Sequence, residues 1–134
     1  MSRSPTDEEL LALADAASAR AYAPYSNFLV GCAVLARDGR VIEGVNVENA
    51  AYPLGVCAER AAFACAVAEG YGPGDFGVAA ITASPCGGCR QWLHEMRVDR
   101  VVFRSGGRIL TMTPDELLPE SFDSATSREP AVDG

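Results

Sequence analysis

The chain has no lysine at all. All 11 basic side chains are arginine, set against 18 Asp and Glu, for a formal net charge of -7. No basic run interrupts this balance. An acidic chain without a basic patch gains nothing from phosphate neutralisation, so a nucleic-acid partner is not expected. No apolar stretch is long enough to span a bilayer, so no membrane partner is expected either. Met1-Ser2-Arg3-Ser4-Pro5 leads into a polar helix start with no apolar leader segment, and a cytoplasmic location is expected. Cysteine is scarce and odd in number, with 5 residues. That makes metal binding a better reading than a disulfide framework. There is a single histidine, His94.

What remains is a chain of 134 residues, 49% of them apolar. That length suits one domain, which buries roughly two-thirds of its unfolded surface. There is no internal repeat and no domain boundary. The domain is expected over residues 1–122, with a polar tail over 123–134.

Thr6-Asp7-Glu8-Glu9 reads as a capping box. It opens a helix with Leu10, Leu13, Ala14 and Ala17 on one face, fading near Tyr22. Val30 to Ala36 and Val41 to Val47 read as strands joined by a hairpin at Asp38-Gly39. A loop at 49–55 precedes an Ala-rich helix from about Cys57 to Glu69. Glycines at 70, 72, 74 and 77 mark a turn before a buried strand, Val78 to Thr82. A further helix runs from Ser84-Pro85 to about Met96. Arg100–Phe103 and Arg108–Met112 are strands, joined too tightly for a parallel crossover and therefore antiparallel. Thr113-Pro114-Asp115-Glu116 is a second capping box with Pro at the first helical position. The order α-β-β-α-β-α-β-β-α implies an α/β sheet with helices on both faces.

Cys86 and Cys89, at i and i+3, share one face at a helix start. A C-x-x-C pair alone reads evenly as a redox pair or a zinc half-site. Cys57-Ala58-Glu59 supplies a third thiolate and an acid at fixed offset, at the start of the preceding helix. Helix N-termini stabilise thiolates. Three protein ligands leave a zinc coordination position open, the mark of catalytic rather than structural sites. His94 lies five residues beyond Cys89 on another helical face, so it is not expected to be a ligand. Cys32 and Cys65 read as buried spectators. Three thiolates leave a zinc site with negative charge, which the two helix ends offset in part. Arg60, beside Cys57 and Glu59, is placed to offset more.

These motifs resemble the cytidine deaminases, in particular the small homotetrameric zinc type. The resemblance runs from about Leu10 to Phe122. It is carried by Tyr25-Ser26-Asn27-Phe28, Asn46-Val47-Glu48-Asn49-Ala50-Ala51-Tyr52, Cys57-Ala58-Glu59-Arg60, Pro85-Cys86-Gly87-Gly88-Cys89-Arg90-Gln91 and Leu117-Leu118-Pro119. It implies a three-layer α/β/α fold on a five-stranded mixed sheet. It implies Zn2+ on Cys57, Cys86 and Cys89, and Glu59 as the catalytic proton carrier. It implies ribose contacts from Asn46 and Glu48, chiefly to the 3′-hydroxyl, and Phe28 against the pyrimidine. The backbone of Ala58 would read the base edge, and Arg60 would support the thiolates. Tyr52 and Phe122 would complete a neighbouring subunit's pocket in a homotetramer. The implied reaction is hydrolytic deamination of cytidine and 2′-deoxycytidine to the uridines, in pyrimidine salvage.

The residues support parts of this independently. Asn46 and Glu48 alternate at a strand end and share a face; without the cysteines nearby they would read as solvated. Phe28 offers a flat apolar platform, otherwise plain core. Two departures stand out. Leu29 occupies a position the family usually gives to Pro, and the link from Ala79 to Pro85 is shorter than usual. A blasticidin S-type deaminase is the alternative within enzymes, and a structural zinc-binding assembly module the alternative outside them. A polynucleotide-editing deaminase fits poorly with the acidic charge and the antiparallel final strands.

Overall fold

In the computed structural model, which describes residues 3–123, the first capping box forms. The Thr6 hydroxyl accepts from the Glu9 N–H while the Glu9 carboxylate accepts from the Thr6 N–H. It opens helix α1 (Asp7–Ser18). Strands β1 (Gly31–Ala36) and β2 (Val41–Val45) form the hairpin around Asp38-Gly39, where Gly39 takes a φ of 94° that other residues resist. Helix α2 (Ala58–Ala68), strand β3 (Phe76–Ile81), helix α3 (Gly87–Glu95), strands β4 (Arg100–Ser105) and β5 (Arg108–Met112) and the short α4 (Pro114–Leu117) complete the order. The last hairpin turns through Gly106 and Gly107, both at positive φ, as a two-residue type I′ loop requires. Residues 124–134 of the expected polar tail lie outside the described residues.

The sheet runs β2-β1-β3-β4-β5. Only β3 and β4 are parallel, and the other three pairings are antiparallel. Side-chain alternation divides the core into two. Ala33, Val78, Ala80 and Val102 face α1, through Leu10, Leu11 and Ala14. Cys32, Val34, Ala79, Ile81, Val101 and Phe103 face the opposite way, onto Ala62, Phe63 and Ala66 of α2 and Leu93 of α3. The result is the expected three-layer α/β/α sandwich.

Two glycines set how closely the helices approach. A Cβ on Gly31 would come within 2.0 Å of the Ala14 carbonyl oxygen, and one on Gly44 within 2.4 Å of the Ala58 oxygen and the Ala62 nitrogen. Both strands therefore accept a helix backbone directly against their own. The Gly44 contact places the first turn of α2 on β2.

Several expectations are corrected. Leu13 is 38% exposed, and Leu11 is buried in its place; α1 is rotated so that Leu11 meets Val78 and Val102. β3 begins at Phe76, inside the glycine-rich stretch, because pairing with β1 and burial of Phe76 against Phe63 outweigh the reluctance of Gly77 to be extended. β2 stops at Val45, after which Val47 bridges Tyr22 and Val56 instead of β1. Cys65 is exposed rather than buried, on the outer side of α2, while Cys32 is fully buried.

Candidate metal centre and active site

Cys57 is the N-cap of α2 and Cys86 the N-cap of α3. Neither side chain caps its helix, so both sulfurs are free to turn toward each other at the two positive helix ends. The Sγ atoms of Cys57, Cys86 and Cys89 all lie within 4.8 Å of one another. Those of Cys57 and Cys86 are 3.8 Å apart. Two sulfurs on a tetrahedral zinc with bonds of about 2.3 Å would be separated by about 3.8 Å. Soft thiolates also suit zinc by their chemistry. The residues present thus fit the metal. His94 is not among them. Its ring meets the Ser121 hydroxyl and the Asp123 carboxylate, at 3.1 Å each from Nε2.

The electrostatics around the sulfurs are graded. Burial acts to raise the Cys86 thiol, but the Cys89 N–H and the neighbouring thiols hold it below its ordinary value. Burial pushes the Cys89 thiol up, and the Glu59 charge adds to this. Arg60 donates from Nη2 to Cys57 Sγ at 3.2 Å. Its Nε is buried without a partner, so the guanidinium is inserted beside the sulfurs rather than left in solvent.

Glu59, in the first turn of α2, is 3% exposed and the one buried charged side chain among the described residues. Burial raises its carboxyl above the usual range, with smaller opposing effects from its own backbone N–H, the Cys89 thiol and Arg60. A carboxyl whose charged form is disfavoured by burial holds a proton more readily than an exposed one, as a group that both takes and gives protons must. Glu59, Cys57, Ala58 and Cys86 form one side of a cavity of about 260 Å³. Ser26, Phe28, Val30, Asn46, Glu48, Ala83 and Ser84 complete its wall.

Asn46 and Glu48 reach this wall from just beyond β2. Asn46 is tied to the 28–30 loop at both ends of its amide: Oδ1 accepts from Val30 N–H at 2.8 Å, and Nδ2 donates to the Phe28 carbonyl at 2.8 Å. The Glu48 carboxylate accepts from the N–H groups of Tyr25 and Ser26, at 3.0 and 3.1 Å, and from the Ser26 hydroxyl. These bonds, the Ser26 hydroxyl first, hold Glu48 below its ordinary value despite partial burial. Phe28 is 61% exposed at the cavity, so it is not the core residue its type would suggest.

Tyr52 and Phe122 stand apart from this cavity. Tyr52 is 76% exposed, its ring edge-on to Tyr25 at 5.9 Å. Phe122 is also exposed, its carbonyl accepting from Gln91 Nε2 at 2.6 Å. Arg90 ties the same end of α3 to the Pro85 and Leu117 carbonyls. Sequence reasoning assigned no role to Ser26, Arg90 or Gln91. All three stand inside the quoted motifs, which was the available signal.

The sequence profile of the cytidine and deoxycytidylate deaminase zinc-binding region matches residues 4–105. A cytidine deaminase of Sporosarcina psychrophila is 40% identical over 124 residues, spanning 86% of this chain and 90% of that protein. One from Halalkalibacterium halodurans is 44% identical over 111 residues, spanning 76% and 83%. The crystal structure of the Burkholderia pseudomallei cytidine deaminase superposes with a TM-score of 0.82 at 42% identity, covering 88% of this chain and 100% of that one. With its three thiols gathered where a zinc-binding region is matched, the chain belongs to the cytidine deaminase family.

Proposed function

We propose that this protein hydrolytically deaminates cytidine and 2′-deoxycytidine, serving pyrimidine salvage in the cytoplasm. The observation that carries this is the buried carboxyl of Glu59 beside three converging thiols, on the wall of a cavity that Asn46, Glu48 and Phe28 also line. Cys57, Cys86 and Cys89 hold the zinc, which when bound supplies the Lewis acidity that makes water a competent nucleophile near neutral pH.

Phe28 lies against one face of the pyrimidine, and the backbone of Ala58 reads the base edge. Asn46 and Glu48 hold the ribose, chiefly its 3′-hydroxyl. Glu59 accepts a proton from water as the oxygen adds to the amino-bearing ring carbon. It passes protons to the adjacent ring nitrogen and then to the amino group. The carbon–nitrogen bond breaks and ammonia leaves, so that cytidine and water become uridine and ammonia. Arg60 tempers the thiolate charge through its bond to Cys57.

The assembly we infer is a homotetramer of single-domain subunits, each spanning residues 1–122. Exposed Tyr22, Tyr25, Leu29, Tyr52, Leu54 and Phe122 support it. So much apolar surface is better suited to a subunit contact than to solvent. Tyr52 and Phe122 would then complete a neighbour's pocket. No helix among the described residues is long and apolar enough to cross a membrane.

The test is ammonia release from cytidine, deoxycytidine, cytosine and blasticidin S by the zinc-loaded protein and its Glu59→Ala variant. The variant should lose at least about a hundredfold in turnover while zinc content is unchanged. Full activity of the variant would remove Glu59 from the mechanism. Turnover of blasticidin S alone would replace the substrate assignment.

A further inference from the structure

We propose that Ser26 is a positioning residue for the sugar: its hydroxyl couples Glu48 to the Phe28 loop, so that the ribose contact and the pyrimidine platform are set as one unit. This deepens the nucleoside deaminase reading and rests on it.

The hydrogen bonds leave one assignment for that hydroxyl. The Phe28 N–H donates to Ser26 Oγ at 3.0 Å. The single hydroxyl proton of Ser26 therefore goes to Glu48 Oε2, 2.5 Å away. Ser26 thus gives its proton to one proposed substrate residue and receives one from the backbone of the other. Asn46 closes the same loop from the other side, through Phe28 O and Val30 N. Asn27 between them has a φ of 59°, in the left-handed region that Asn tolerates. The turn from Tyr25 to Val30 is thereby held by side chains of two residues just beyond β2.

The network also determines what the pair can bind. An ionised carboxylate accepts at about four lone-pair sites. Tyr25 N, Ser26 N and Ser26 Oγ take three of them. Glu48 can then only accept from a ligand. Asn46 keeps one N–H beyond that given to Phe28 O. An acceptor beside a donor is the complement of a free hydroxyl, which both donates and accepts. A phosphate ester at the same sugar position offers no proton and meets the Glu48 charge. The site therefore selects a nucleoside whose contacted hydroxyl is unesterified.

Steady-state kinetics of the zinc-loaded wild type, Ser26→Ala and Ser26→Thr on cytidine and 3′-deoxycytidine test this. Ser26→Ala should raise KM for cytidine about fivefold with kcat within about twofold, the scale of one ordinary hydrogen bond, because the Tyr25 and Ser26 N–H groups still hold Glu48. Ser26→Thr, which retains the hydroxyl, should restore it. On 3′-deoxycytidine the KM change should be clearly smaller, because the group that Glu48 receives is gone and only the Phe28 platform is left to disturb. An unchanged KM in Ser26→Ala would overturn the inference, as would an equal rise on both substrates, which would mean general damage to the loop. A wild type that releases ammonia from neither nucleoside would overturn the deaminase reading itself, and the wild-type control separates that failure from the others.

Discussion

Arg60 Nη2 lies 3.2 Å from Cys57 Sγ, three residues further along the chain, so that the first turn of α2 sets a cation directly beside the thiol at its N-cap. Arg60→Gln keeps a donor of shorter reach but removes the charge. Retention of zinc under chelator challenge should fall about tenfold or more, as is usual when a ligand's supporting partner is lost. Metal content measured after dialysis against a chelator, alongside cytidine turnover, checks this. Unchanged zinc and activity would remove Arg60 from the centre.

Gly44 is far from the thiols in sequence, yet it sets where α2 begins. A methyl group there would sit 2.4 Å from the Ala58 oxygen and the Ala62 nitrogen, both backbone atoms with little freedom to yield. Gly44→Ala should destabilise the fold by about 1–3 kcal/mol, the usual scale of overpacking. Because α2 carries Cys57 and Glu59 at its start, zinc content should fall with the thermal midpoint. A variant with wild-type Tm and full zinc would show that β2 and α2 can separate without cost.

The capping box of α1 makes stability depend on acid. The bonds of the Glu9 carboxylate to Arg3, then to Thr6, lower its pKa to about 2. A depressed folded-state value means stability that is fully present above the unfolded value of about 4.3 and is lost as pH falls toward 2. Glu9→Gln removes this titration while preserving an acceptor for the Thr6 N–H. Denaturant midpoints of wild type and variant should therefore differ at neutral pH and converge between about pH 4 and pH 2. Parallel curves across that window would show that Glu9 contributes nothing through its charge.

Phe122 is exposed and is not among the residues that line the cavity of its own chain, and its carbonyl accepts from Gln91. If it completes a neighbour's pocket, two differently inactivated subunits should rescue each other. Glu59→Ala supplies an intact Phe122, and Phe122→Ala supplies an intact Glu59. Mixed after dissociation and reassembly, they should regain about a quarter of wild-type turnover or less, since only hybrid contacts pair the intact residues. No gain over the separate variants would place Phe122 outside the shared site.

Much was legible from local chemistry alone. The capping boxes at Thr6 and Thr113, the turn at Asp38-Gly39, the tight antiparallel link between the last two strands, and the three cysteines at helix starts each depend on residues close in sequence. They were read correctly because short-range hydrogen bonding and allowed φ angles settle them. Motif order carried the family in the same way. Burial was less legible where a helix could rotate, as with Leu11 for Leu13, or where an alanine-rich helix turned one side to solvent, as with Cys65.

By itself, then, the sequence determined which chemistry is possible: three thiolates, one acid two residues from the first of them, and no competing histidine ligand. Only the tertiary structure decided that these meet. Gly44 lets α2 close on β2, the parallel β3–β4 pairing brings α3 alongside, and Sγ atoms 29 residues apart in the chain come within 3.8 Å. It also decided that Ser26, an unassigned residue in a recognised motif, bonds both Glu48 and Phe28. Those contacts depend on the loop from 25 to 30 folding against residues beyond β2. No local propensity encodes such long-range pairing, because its free energy appears only once the sheet has formed.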